Sequence, residues 1–148
     1  MKVALEPAAK ADGAAIGAIL SGWVDETDWM PRIHSFEQDL QHGCFLVEVC
    51  EVTVAWLNGD IVGFLARQGS EIQAFYVKHD ARGAGVGHKL LDRAKRQIGQ
   101  LCLWSFQANA AALRFYAKHG FIEDQRTDGA GNDEHLPDVH MVWERDAA

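Results

Sequence analysis

Three glycines within six residues, Arg82-Gly83-Ala84-Gly85-Val86-Gly87, lie between an apolar run at 72–77 and a helical stripe that begins at Val86. A glycine-rich turn that opens a helix lets main-chain N–H groups crowd around an anion, and the helix dipole adds positive potential there. The chemistry on offer is a grip on a diphosphate. Two common diphosphate loops fail on the letters that follow. A Walker A loop ends Gly-Lys-Ser/Thr, so that the lysine meets the outer phosphates and the hydroxyl meets magnesium. Here Gly87 leads into His88-Lys89-Leu90. A dinucleotide fingerprint would need glycine at 88 or 90 and a place near the start of its domain; neither condition holds.

A second constellation follows downstream, Asn109-Ala110-Ala111-Ala112-Leu113-Arg114-Phe115-Tyr116-Ala117-Lys118-His119-Gly120-Phe121. Asparagine at its start is a good helix cap, and the tyrosine inside it can give a proton to a departing group. Glu71 and His79, on either side of the 72–77 run, are groups able to take one. The two segments resemble motifs A and B of the GNAT superfamily of N-acetyltransferases. Arg82, Gly85 and Gly87 occupy the fixed positions of motif A, Q/R-x-x-G-x-G/A. Residues 109–121 match motif B, N-x-x-A-x-x-F-Y-x-x-x-G-F, at every fixed position. The likeness is close over 54–121 and looser on the flanks.

This resemblance implies an acetyl-CoA-dependent N-acetyltransferase that moves the acetyl group directly, in a ternary complex, to a primary amine of a small molecule or peptide. It implies that Arg82, Gly83, Ala84, Gly85, Val86, Gly87 and His88 hold the diphosphate of acetyl-CoA, and that Asn109 touches the CoA arm. Phe75 would pair its main chain with the pantetheine amides, and the Val77 N–H would stabilise the oxyanion. Tyr116 is carried over as proton donor to the leaving thiolate. Glu71, six residues before Val77, resembles in spacing the glutamate base of histone-type members. An edge carboxylate facing water is the alternative reading of Glu71, and a water chain without a single base is another. In this family the acceptor site is built by the first two helices, their connecting loop and the last hairpin. That places Trp29, Arg32 and His34 as acceptor contacts, Trp29 as an aromatic wall and Arg32 as a partner for a carboxylate. A catalytically silent domain of the same fold, holding CoA as sensor or scaffold, stands as the other function.

Those residues need a scaffold, and apolar periodicity outlines one. A strand is expected at 2–6 and a helix at 8–23, with Ile16, Ile19, Leu20 and Trp23 on its stripe. Ser35, with Gln38 three residues on, forms a possible capping box for a helix to about 47, striped by Phe36, Leu40, Cys44 and Val47. Asn58-Gly59 marks a type I′ hairpin between strands at 51–57 and 61–67. A strand at 71–77, a helix at 85–100, a strand at 101–106 with Trp104 in the core, a helix at 109–119 and strands at 121–125 and 139–144 complete the order. The result is an α/β fold with a mixed sheet of about six to seven strands flanked by about four helices. The resemblance adds a splayed parallel pair at 71–77 and 101–106, open to the pantetheine arm.

Composition sets the outer limits. The 148 residues are 48% apolar and 24% charged, ordinary for one globular domain spanning 1–148. A net charge of −7 without a basic run excludes a nucleic-acid face and fits a cationic acceptor. No run approaches the ~18 apolar residues of a membrane span, and residues 1–6 lack signal-peptide features, so the expected location is cytoplasmic. Cys44, Cys50 and Cys102 are odd in number and lack C-x-x-C spacing, which reads as reduced, mostly buried thiols. No metal is expected: the acidic loop at 128–138 puts Ala130 and Val139 where a calcium loop needs oxygen ligands. A homodimer is compatible with the resemblance.

Overall fold

The computed structural model describes residues 2–145. Its strands are β1 (Ala4–Pro7), β2 (Glu51–Leu57), β3 (Asp60–Gln68), β4 (Glu71–Val77), β5 (Gln100–Phe106), β6 (Ile122–Thr127) and β7 (Asp138–Glu144). The helices are α1 (Gly13–Glu26), α2 (Phe36–Val49), α3 (Val86–Gln97) and α4 (Ala110–Lys118). All seven strands join one mixed sheet in the order β1-β2-β3-β4-β5-β7-β6. Every neighbouring pair is antiparallel except β4 with β5, which the α3 crossover makes parallel. Among the described residues no helix is long and apolar enough to cross a membrane.

Helices cover both faces of the sheet, each over its own apolar cluster. On one face Val86, Leu90 and Leu91 of α3, with Tyr116 of α4, lie over Leu65, Leu101, Leu103, Val139 and Met141. On the other, Ile16 and Ile19 of α1 and Leu46 of α2 lie over Val52, Val54, Phe64 and Ala66. The hairpin expected at Asn58-Gly59 is present, with both residues at positive φ, 53° and 84°. The Ser35 capping box forms as well: Gln38 N–H donates to Ser35 Oγ (3.1 Å), and Ser35 N–H donates to Gln38 Oε1 (2.8 Å).

Some expectations are corrected. The first helix begins at Gly13 rather than 8, because β1 runs to Pro7 and residues 10–12 form a short 3₁₀ turn. The stripe assigned to α2 holds only in part: Leu40 and Val47 are half-buried, Val47 against the core, but Phe36 is 54% exposed and Cys44 is exposed, whereas Asp39, Gly43 and Leu46 are buried. Helices α1 and α2 meet through glycine rather than through large apolar side chains. A Cβ on Gly17 would collide with the Asp39 carbonyl, and one on Gly43 with that of Gly13. Asp39 tolerates burial because Arg32 Nη1 binds it at 3.1 Å. The thiols are less buried than expected, since Cys50 and Cys102 are only half-buried. Trp104 is 43% exposed rather than in the core, because α1 and α2 stop short of the β5–β7–β6 part of their face.

Candidate active site

The cleft originates in a strand irregularity. Ala66 of β3 lies opposite Ala74, but Arg67 lies opposite Ile72, which leaves Gln73 as the extra residue of a bulge in β4. A bulge bends its strand and strengthens the local twist. Strands β4 and β5 accordingly share one ladder position, Glu71 opposite Cys102, with Cys102 N–H donating to Ser70 C=O at 2.9 Å. Past that point the strands part, and a cleft of about 560 Å³ opens between them. Its walls are Phe75, Tyr76 and Val77 of β4, Trp104 and Phe106 of β5, the glycine loop, Asn109 at the start of α4, and Phe115 and Tyr116 of α4.

Main-chain direction along β4 follows from the ladder. Lys78 N–H donates to Val62 C=O at 2.7 Å, so this opposed pair is hydrogen-bonded to β3. Opposed pairs alternate in an antiparallel ladder. The next pair, Val77 with Gly63, and the alternate pair, Phe75 with Leu65, therefore turn their N–H and C=O groups away from β3. Those groups face the gap where β5 has withdrawn.

The glycine loop closes one end of this gap. Gly83 and Gly85 adopt φ of 87° and 79°, a region that side-chain-bearing residues rarely occupy. Gly85 is the N-cap of α3, and no side chain caps that end. The first-turn N–H groups of Val86, Gly87 and His88 thus remain as donors, with the dipole behind them. Gly87 packs beside α4: a Cβ there would stand 3.5 Å from the Phe115 ring, an ordinary van der Waals contact. Arg82 is tied down. Its guanidinium forms an ion pair with Glu26 at the end of α1 and donates to Val77 C=O at 3.2 Å. Ala84 is exposed in the loop and does not line the cleft.

Asn109 caps α4, its Oδ1 accepting from Ala112 N–H at 3.2 Å, and its side also lines the cleft. Tyr116 is buried among Phe75, Phe115 and Phe121, with ring centroids 6.2, 5.6 and 5.5 Å away. Burial raises its hydroxyl well above the usual tyrosine range, and nearby Tyr76 adds to the shift. Tyr76 itself is pushed up to about 12, by burial first and then by Glu134. On α3, His88 Nδ1 is 2.9 Å from His119 Nε2, and His119 Nδ1 is 2.8 Å from Phe115 C=O.

The structure thus gathers Phe75, Val77, Asn109, Tyr116 and most of the 82–88 loop around one opening. It does not bring Glu71 there. Glu71 sits at the closed end of the strand pair, accepts from Gln73 Nε2 at 2.9 Å, and lies roughly 20 Å along the strand from Val77. Arg32 is likewise engaged elsewhere, bonded to Asp25, Asp39, Ser21 and the carbonyl of His34. It clamps the α1–α2 connection, and the His34 side chain is exposed beside it. Trp29 packs edge-on against Trp23 and Phe106, both 5.8 Å away. It walls a second cleft of about 400 Å³ with Glu26, Asp28 and His79, which shares Trp23, Arg82 and Asn109 with the first. Sequence reasoning missed Tyr76, Trp23 and His119. Tyr76 was signalled by its place between Phe75 and Val77; His119 carried no signal beyond its closeness to Tyr116.

Comparison with known proteins points the same way. Residues 48–123, just over half of the chain, match the family model described as Acetyltransferase (GNAT) domain. MJ1207 of Methanocaldococcus jannaschii, an uncharacterized N-acetyltransferase, is 34% identical over 97 residues, which cover 55% of this chain and 41% of that protein. YjaB of Escherichia coli, a peptidyl-lysine N-acetyltransferase, is 33% identical over 67 residues, covering 45% of this chain and 46% of YjaB. The matches therefore span less than half the length of these two relatives. YiaC of Escherichia coli, also a peptidyl-lysine N-acetyltransferase, is 29% identical over 143 residues, covering 90% of this chain and 94% of YiaC. The solution structure of apo YjaB shares the fold, with a TM-score of 0.81 over 99% of this chain and 100% of that one, at 22% identity.

Proposed function

The chain belongs to the GNAT acetyltransferase family, and on that premise we propose that it transfers the acetyl group of acetyl-CoA directly to a primary amine, the side chain of a lysine in a peptide. The observation that carries this reading is the splayed β4–β5 pair, where the main-chain N–H groups of Phe75 and Val77 face away from β3 on a strand that leads to the uncapped N-terminus of α3. Gly83 and residues 85–88 hold the diphosphate through main-chain N–H groups and the helix dipole. Phe75 aligns the pantetheine arm as a half-strand, and the Val77 N–H meets the developing oxyanion.

Transfer forms an N–C bond and breaks the C–S bond. The amine arrives as an ammonium and first gives one proton to water, because the ammonium has no lone pair. Glu71 is too far along β4 to take that proton directly. After attack, the nitrogen carries a second surplus proton and the sulfur becomes a thiolate. A thiol titrates near about 8.5, below the raised Tyr116 phenol, so full proton transfer from tyrosine to sulfur is uphill. Tyr116 acts instead as a hydrogen-bond donor to the thiolate, while the surplus proton from nitrogen reaches sulfur.

Lysine is favoured by charge and shape. Residues 122–144 hold seven carboxylates against Arg126 alone, which accounts for −6 of the net −7. Trp23 and Trp29, with Glu26 and Asp28 beside them, suit an aliphatic stem that ends in a cation. YiaC and YjaB act on peptidyl lysine by their names. The test is thiol release from acetyl-CoA with lysine peptides, alongside mass analysis of the peptide. Release is expected with a free lysine and not with a blocked one. Tight acetyl-CoA binding with no transfer to any amine would indicate the silent binding domain instead.

A further inference from the structure

The geometry points to His119 as a positioning residue that fixes the tautomer of His88, so that the donor diphosphate binds together with a proton at His88. This inference rests on the acetyl-CoA reading and extends it to the control of that site by pH.

A carbonyl can only accept, so His119 Nδ1, 2.8 Å from Phe115 C=O, must carry a hydrogen. A neutral imidazole has one N–H, which makes His119 Nε2 an acceptor. His88 Nδ1, 2.9 Å away, must then be the donor. The remaining nitrogen of His88, Nε2, is left with a lone pair, and it is the one position in the relay that can take a proton without breaking a bond. His88 lines the donor cleft in the first turn of α3. Without an anion, the positive end of the helix opposes a charge on His88. A bound diphosphate reverses that balance, because its negative charge favours a protonated His88 over a neutral one. Anion and proton therefore favour each other's binding, and the coupling is reciprocal.

The surrounding charges do not supply an alternative proton acceptor for the pair. Asp92, one turn along α3, is held by Arg96 at 2.8 Å. Lys95 Nζ donates to His119 C=O from the same helix. Lys89 and Lys118 are the exposed cations next to the two histidines in the chain, and Arg82 of the loop is paired with Glu26.

Dephospho-CoA is the suitable probe, because it keeps the bridging diphosphate and lacks the terminal phosphate, which itself titrates near pH 6. Calorimetric titration is expected to show about tenfold weaker binding at pH 8.5 than at pH 6, equivalent to one unit of linkage. Buffers of different ionisation heat should reveal proton uptake at pH 7. His88→Gln should bind more weakly at pH 6 and lose the pH dependence. His119→Leu should reduce the slope, and His119→Gln, which can still donate and accept in the relay, should restore it. Wild-type affinity that is flat from pH 6 to 8.5, or a slope that survives in His88→Gln, would overturn the inference while leaving the donor site standing. Absence of binding by dephospho-CoA and acetyl-CoA alike, in folded protein, would overturn the donor site and the inference with it.

Discussion

Replacing Gly85 by alanine isolates what the loop conformation contributes. Gly85 holds φ at 79°, and a Cβ built on it meets no atom within 4 Å. The substitution therefore displaces nothing, and its cost is conformational alone. For an L-residue the left-handed region costs roughly 1–2 kcal/mol. If the loop relaxes to escape that strain, binding must restore the strained shape, and affinity for acetyl-CoA falls by about five- to thirtyfold. Gly59 provides the control. It holds φ at 84° in the β2–β3 turn, also with no atom within 4 Å of its Cβ position, and it lies outside both clefts. Gly59→Ala should lower the melting temperature by roughly 2–8 °C and leave affinity unchanged. Calorimetric titration and thermal unfolding of both variants read the two effects separately. Acetyl-CoA binding by Gly85→Ala within twofold of wild type would refute the reasoning, as would an equal loss in Gly59→Ala.

Tyr116→Phe removes the hydrogen bond to the departing sulfur, so kcat should fall by about 10²-fold with KM for acetyl-CoA nearly unchanged; an unaltered kcat would remove the donor role. The only tyrosines, Tyr76 and Tyr116, are both raised by burial, so phenolate absorbance should stay absent at pH 10 and appear only from about 12 upward, Tyr76 first, or on unfolding. Because unfolded tyrosine ionises at about 10, the stability these two phenols contribute is complete below that pH and is lost as pH rises through the folded values. Phenols titrating at about 10 in folded protein would contradict the burial. Arg32→Leu leaves buried Asp39 without its cation and should cost about 2–4 kcal/mol in denaturant unfolding. KM for acetyl-CoA should not move, whereas a loss of peptide affinity without destabilisation would return Arg32 to the acceptor site.

Much of the scaffold was legible because its signals are local. Asn58-Gly59 and the Ser35–Gln38 box act within a few residues, and each appears where the letters place it. The glycine loop was legible for the same reason, since positive φ at Gly83 and Gly85 is a demand only glycine meets easily. What escaped depends on partners remote in sequence. The α2 stripe misled at Phe36 and Cys44, because Gly17 and Gly43 bring the α1 and α2 backbones together there. Arg32 looked like a free cation because Asp25, Asp39 and Ser21 are gathered round it only by folding. Glu71 looked like a base by spacing, but the bulge at Gln73 and the pairing with Cys102 hold it at the closed end of the cleft. Trp104 looked like core because nothing local says that helices leave its part of the sheet uncovered.

Amide chemical shifts probe the donor site most directly, since the proposed contacts are main-chain N–H groups. Titrating acetyl-CoA into isotope-labelled protein should move the amides of Gly83 to His88 most, with Phe75 and Val77 next, and leave the β2–β3 turn in place. Shifts that leave residues 83–88 untouched while the protein stays folded would contradict the site.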